Sequence, residues 1–249
     1  MAAGVLEEDL LTDRVLENDG NRWLIGPRLA VKPREQTDPW TDDATCELHE
    51  VYEAVFIDPP YSNPEIMKIK KQIVPWTETK TFTVSNEIHR EIDNLHYLTT
   101  HGCTSTPKLW SYSIQQQGPD DPLPGGYAAY ISMERVPGKD LRDFGKFDDQ
   151  EKNRVRLAFV EALWELHSYH FTHYDPRLPN IIWDSTAGKC YIVDLEDAER
   201  STDLTDSDVC LEPWSELEMW GLIERQQREL TIFFHKEELL RYLKTELGM

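Results

Sequence analysis

The chain has 249 residues, a formal net charge of -20, 39% hydrophobic residues and 29% charged residues. That length and apolar content allow one large domain or two smaller bodies with a buried core, and the acidity argues against phosphate-coated partners, both nucleic acid and anionic membrane. The four cysteines (Cys46, Cys103, Cys190 and Cys210) are widely spaced, the N-terminus shows no signal pattern, and no apolar run approaches the roughly 20 residues of a membrane span, so the expectation is a cytoplasmic protein with free thiols, the nucleus left open.

Residues 1–21 are polar and acidic and read as a loose arm or a short helix. Trp23-Leu24-Ile25 and Leu29-Ala30-Val31 read as the first strands, followed by a turn-rich connection over 33–45. Glu47 to Ile57 alternates, with Leu48, Val51, Ala54 and Phe56 apolar, and predicts a strand. Asp58 to Pro64 reads as a tight loop and Ile66 to Lys71 as the next strand. Ser85 is a candidate helix cap with Glu87 in the first turn, and Ile88, Ile92, Leu95 and Leu98 recur at helical spacing. Leu109 to Ile114 and Tyr127 to Met133 read as strands around a mobile Gln/Pro/Gly/Asp loop, and Glu134 to Gly138 turns away.

From there the pattern is helical, which places a boundary near 134–139. Asp148-x-x-Glu151 resembles a capping box, and Val155, Phe159, Leu163 and Leu166 form one face of the helix it starts. Two short strands follow, 181–184 and 190–194, then an acid-rich stretch, 196–208, that reads as a loop. Trp214 to Gln227 and His235 to Leu247 read as helices, the second amphipathic through Leu239, Leu240, Leu243 and Leu247.

The chemistry concentrates in His173-Tyr174-Asp175-Pro176-Arg177-Leu178-Pro179-Asn180, the apolar strand behind it, and Ile192-Val193-Asp194. Asp175, Asn180 and Asp194 are three oxygen donors set around a short strand pair. Phosphoryl transfer from a metal nucleotide needs such a set: one carboxylate near the attacking hydroxyl, an amide and a second carboxylate for the metal. The plainer alternative is a turn carrying a solvated Asp. The Leu166-His167 lead-in, the Asn spacing and a second strand ending in Asp favour the chemical reading.

These residues resemble the catalytic loop of protein-kinase-like enzymes, H-x-D-x-x-x-x-N. Asp194-Leu195-Glu196-Asp197 is similar to the D-x-E of the aminoglycoside phosphotransferase and choline kinase branch, and the likeness can be traced from about residue 65 to about residue 223. It implies an α+β, two-lobed protein-kinase-like fold. The N-lobe, 1–136, would be an antiparallel sheet with one helix; the C-lobe, 137–249, would be mainly helical and shortened. The resemblance implies Asp175 as the group that orients the acceptor hydroxyl and takes its proton, with Arg177 against the transferred phosphate. Asn180 and Asp194 would be the Mg2+ ligands. Lys68, in Glu65-Ile66-Met67-Lys68, would contact the ATP phosphates, and Glu91 would hold that lysine. Lys70 points to the same side of the strand and is a rival for Lys68, as Glu87 is for Glu91. Met133, Glu134 and Val136 resemble the hinge that binds an adenine edge.

The pattern also has departures. No G-x-G-x-x-G is present; Pro33 to Pro39 follows the first predicted strands instead. Glu196 stands where D-F-G has its glycine, no A-P-E is visible, and 55 residues follow Asp194, which disfavours an ordinary protein kinase. Two functions remain: an ATP- and Mg2+-dependent phosphotransferase acting on a small molecule or another hydroxyl acceptor, and a pseudokinase that binds nucleotide or protein without turnover. Glu196 to Asp208 would suit a cationic acceptor or is a solvated loop. Glu216 to Ile223 faintly resembles a helix that braces the catalytic loop, or is an amphipathic core helix. A hydrolase built on Asp175 and Asp194 leaves Lys68 and Glu91 unexplained.

Overall fold

A computed structural model describes residues 11–18, 20–37, 44–57, 64–74, 84–203, 205, 209–225 and 230–249. The expectations for 1–10, 38–43, 58–63 and parts of 204–208 and 226–229 lie outside these residues. The chain is α+β and divides into two compact units, Met1–Ile92 with Lys108–Arg135, and Asp93–Pro107 with Val136–Met249.

The first unit is built on an antiparallel sheet. Strands β1 (Val15–Asn18) and β2 (Asn21–Thr37) pair as a hairpin whose last rung is Asn18 opposite Asn21. Val15–Asn18 is therefore a strand, where the composition predicts an arm. Asp19-Gly20 between the two strands is a strong two-residue hairpin signal, and Gly20 takes a φ of 76° that suits such a turn. The strands expected at 23–25 and 29–31 are one strand. Register shifts between Ile25 and Arg28, and between Arg28 and Ala30, bend it without ending it. β2 then continues to Thr37, opposite Ala44 of β3 (Ala44–Phe56), so much of the expected connection over 33–45 is paired backbone. Pro33 is compatible with this because β1 covers β2 only at Asn21–Leu24, leaving Pro33 an edge position among the described residues.

β4 (Glu65–Val74), α1 (Asn86–Thr100), β5 (Leu109–Gln116) and β6 (Tyr127–Glu134) follow. The sheet order is β1-β2-β3-β4-β6-β5, with α1 falling in sequence between β4 and β5. Both faces of the central strands are buried. Tyr52, Ala54, Met67 and Ile69 pack with Trp23 and Ile25 as one apolar cluster. Side chains alternate along a strand, so Glu47 and His49 point to the other face, where they too are buried.

Glu47 is fully buried and its charge is compensated locally. Its carboxylate meets His49 Nε2 at 2.6 Å, accepts from Gln36 Nε2 at 3.2 Å and accepts from the Tyr127 hydroxyl at 2.5 Å. Burial alone would raise its pKa, but the bonds from His49 and Tyr127 outweigh that and hold it below the usual carboxylate range. The loop between β5 and β6 is tied by buried Gln117, whose amide donates to Gln72 O and Tyr127 O, each at 2.7 Å, and accepts from Leu123 N at 3.1 Å. The sequence predicts this loop to be mobile; a buried glutamine with three such bonds explains why its base is held.

The second unit contains β7 (Lys139–Asp140), α2 (Asp149–Ser168), β8 (Phe171–His173), β9 (Ile181–Asp184), β10 (Lys189–Ile192), β11 (Ala198–Arg200), α3 (Pro213–Met219) and α4 (Lys236–Glu246). The cap of α2 is half of the expected box. Asp148 Oδ1 accepts from Glu151 N at 2.8 Å, while Glu151 turns away to accept from Trp183 Nε1 at 2.7 Å and to pair with Arg154. Val155, Phe159, Leu163 and Leu166 are buried along α2, and Leu239 and Leu243 along α4. Two predictions need correction. The helix expected over 214–227 stops at Met219, because Gly221 takes a φ of 76° and ends the turn. The acid-rich stretch after 196 is not all loop, since β11 pairs with β8. Gly138 is obligatory in β7's approach: its φ is 113°, and a Cβ there would meet Trp183 O at 2.2 Å. No helix among the described residues is long and apolar enough to cross a membrane, and all four cysteines are free.

Candidate functional site

In the second unit, two strand pairs bring the motif residues together. β9 and β10 close with Ile181 opposite Ile192. The residues just outside that rung, Asn180 and Val193, are therefore neighbours, and Val193 N donates to Asn180 O at 2.9 Å. β8 and β11 close with His173 opposite Ala198, and Tyr174 N donates to Asp197 O at 2.8 Å. The segment from Tyr174 to Asn180 is thus held at both ends, with Asp194 two residues past the end of β10.

Within this frame the polar side chains converge. Asn180 is buried, and its Nδ2 donates to Asp175 O at 3.0 Å and to Asp175 Oδ2 at 3.1 Å. Arg177 Nη2 lies 2.7 Å from Asp175 Oδ2 and 3.6 Å from Asp194 Oδ2, so both carboxylates touch one nitrogen. Asp194 takes a left-handed backbone, φ 64° and ψ 56°, at the start of a short 3-10 turn, Leu195–Asp197. Asp is among the few side chains that adopt this conformation at modest cost. Here it turns the chain out of β10 and starts the path back toward β11.

His173 sets the near end of the loop. Its Nε2 faces Val193 O at 3.1 Å, and its Nδ1 faces the Asp175 amide at 3.2 Å. An amide can only donate and a carbonyl can only accept, so the ring is the Nε2–H tautomer with Nδ1 as acceptor. Burial lowers the His173 pKa, against the opposing pull of the Val193 carbonyl and nearby acids, which agrees with a neutral ring. The ring also lies edge-on to Trp220, with centroids 5.2 Å apart, and Trp220 in turn meets Phe159 of α2 at 5.1 Å. Trp220 therefore backs the loop, from just beyond the end of α3. In the sequence it is one aromatic in an apolar run; only its position after the helix stop distinguishes it.

The first unit holds the other expected residues. Lys68 on β4 pairs with Glu91 Oε1 on α1, and Lys70 pairs with Glu91 Oε2 at 2.6 Å. The two lysines that the strand period leaves as rivals thus meet the same carboxylate. Met133 is buried near the end of β6, and Glu134 N donates to Lys108 O at 2.8 Å while the Glu134 carboxylate accepts from Lys108 N at 3.3 Å. Val136 is half-buried and begins the longer segment of the second unit, Val136–Met249.

The donor atoms near Asp175 suit a hard divalent cation. Asn180 commits its amide nitrogen to Asp175, which leaves Oδ1 as its coordinating atom, and Asp194 adds a carboxylate. Among the described residues no group of three or more His, Cys, Asp or Glu side chains is placed to hold a metal by itself. An ion here would therefore depend on further oxygens from water or a phosphate ligand.

No protein-family model matches the chain, and no curated protein sequence matches it. The structure is similar to that of the Cydia pomonella granulovirus kinase PK-1, with 18% identity and a TM-score of 0.41, over 69% of this chain and 53% of that one. The match thus spans about half the length of that kinase.

Proposed function

We propose that the protein is a kinase-like phosphotransferase that moves the terminal phosphoryl group of ATP to a hydroxyl on a small molecule. The observation that carries this reading is the convergence of Asp175, Arg177 and Asn180 of one loop with Asp194 of the segment beside it, with the carboxylates sharing one guanidinium nitrogen. The pairing of Lys68 with Glu91 on a strand and a helix supports it separately.

In this reading Asp175 receives the acceptor hydroxyl as a hydrogen-bond donor and takes its proton as the oxygen attacks phosphorus. Its main contribution is alignment of the hydroxyl. Asn180 fixes the Asp175 carboxylate by donating to Oδ2. Neutral His173 fixes the backbone at the same residue. Arg177 offers a planar fork to the equatorial oxygens of the phosphoryl group. Asn180 Oδ1 and Asp194 would hold Mg2+, which neutralises charge on the phosphates when bound. Lys68 would meet the inner phosphates, and the backbone at Met133, Glu134 and Val136 would meet the adenine edge.

A second reading is a nucleotide-binding pseudokinase without turnover. The Arg177 contact favours it, because the guanidinium occupies the same Asp175 oxygen that Asn180 holds. Thermal melting with and without MgATP tests both. Ligand at a hundred times its dissociation constant adds about 2.7 kcal/mol, which raises the midpoint of a chain this size by several degrees. The expected result is a rise in the wild type, its loss in Asp194→Ala, and phosphate release or transfer that Asp175→Ala abolishes without weakening ATP binding. No rise in the wild type removes both readings. A rise with no turnover toward any hydroxyl acceptor leaves the pseudokinase.

A further inference from the structure

Glu91 meets two lysines, and the motif accounts for only one. Lys68 and Lys70 stand two residues apart on β4 and so share a face. Lys70 lies opposite His49 on β3 and Ala129 on β6, in the middle of the sheet. The two ammonium groups take different oxygens of the Glu91 carboxylate. Their depths differ: the Lys68 side chain is 12% exposed, Lys70 2% and Glu91 1%. An ammonium buried as deeply as Lys70 is costly without a charged partner, whereas Lys68 keeps a route to solvent.

We propose that Lys70 is the residue that holds Glu91, and with it the first turns of α1, against β4, while Lys68 is the lysine that leaves the pair to meet a phosphate-bearing ligand. The Lys68 half of this proposal rests on the phosphotransferase reading above; the Lys70 half does not. With two lysines, the carboxylate keeps a cation when Lys68 turns to a ligand. Ligand engagement then leaves no buried anion uncompensated, and α1 holds its position in the free and the bound protein. Lys70 is a positioning residue in this scheme, acting on the ligand through Glu91 and Lys68.

The test uses the full chain as Lys68→Met, Lys70→Met and the double variant Lys70→Met/Glu91→Leu. Three quantities are read: the thermal midpoint without nucleotide, amide exchange across Asn86–Ile92, and the affinities for ATP and for adenosine. Lys70→Met is expected to lower the midpoint by several degrees and to speed exchange in Asn86–Ile92 by about tenfold or more. Lys68→Met is expected to leave both near wild type and to weaken ATP, but not adenosine, by about tenfold or more. In Lys70→Met, Lys68 becomes the carboxylate's one remaining partner in this trio and is retained by it, so ATP weakens there too while adenosine holds. A lysine with a merely structural role would weaken both ligands alike. The double variant is expected to recover the midpoint, since removing both members of a buried pair is far less harmful than removing one. If Lys70→Met does not fold, the double variant decides, and a persistent loss overturns the proposal. Equal losses in the two single lysine variants, or unchanged exchange in Lys70→Met, also overturn it. A wild type that binds neither ATP nor adenosine removes the Lys68 half together with the proposed function, while the melts and exchange still decide the Lys70 half.

Discussion

The ionic clusters around Glu91 and around Arg177 are built in opposite ways. Around Glu91, one carboxylate is shared by two ammonium groups, and Glu91 and Lys70 are almost completely enclosed. Around Arg177, one guanidinium is shared by two carboxylates, and the Arg177 side chain is 46% exposed. The difference teaches that the same pairwise contact does different work in the two units. Deep in the sheet, the desolvated charges make each other's removal costly, so the cluster governs stability. At the loop, water screens the pairs, so the cluster contributes little to stability and its groups remain available to a ligand.

The sharpest way to break this contrast is Glu91→Ala. It leaves two lysines, one of them buried, without their shared carboxylate, and the expected loss is about 3–5 kcal/mol in a urea melt. A loss under about 1 kcal/mol, the range of surface pairs, would remove the distinction.

An intermediate case is Glu216, a largely buried carboxylate of α3 whose neighbour is another acid. Burial first and the charge of Glu212 second push its pKa up to about 7, with a hydrogen bond from Trp220 opposing. The folded state therefore holds this proton more tightly than the unfolded chain does. The stability this confers is full below the ordinary carboxylate range and is lost as pH rises through about 7. Glu216→Gln is expected to melt higher than the wild type at pH 8, with the gap closing toward pH 5. Parallel profiles for the two proteins would show that the carboxylate titrates as if exposed.

The smallest effect is expected from Arg177→Ala. Its stability cost should stay below about 1 kcal/mol and shrink further in high salt, because both pairs are partly solvated. Chemical denaturation at two salt concentrations measures it. A large, salt-independent loss would mean that the loop is held together by charge, not by the strand pairs on either side.

Much of the second unit's candidate site was legible because its logic is local. The spacing from Asp175 to Asn180 and the two short apolar strands before Asp194 are enough to make Asn180 and Asp194 neighbours once the strands pair. His173 was legible as part of the motif, but its tautomer depends on Val193 O across the loop. The first unit was less legible for three physical reasons. The acidic composition of residues 1–21 hides a strand that only the Asp19-Gly20 pair betrays. Two bulges let β2 run through what reads as a break. Period-two alternation puts Lys68 and Lys70 on one face and carries no information about depth, which is what separates them. In α3, helical periodicity runs on past Met219; the stop lies in the backbone of Gly221, which the apolar pattern does not reveal.

The long outer margin of β2 has one more consequence. Past Leu24 it runs to Thr37 with no strand alongside it on that side among the described residues. Such a margin is a template on which another chain can extend the sheet. Lys32, Pro33 and Arg34 sit in the middle of it: a ring that offers no N–H, flanked by two long cationic side chains. Proline and cationic side chains along an open margin are devices that discourage such edge-to-edge pairing.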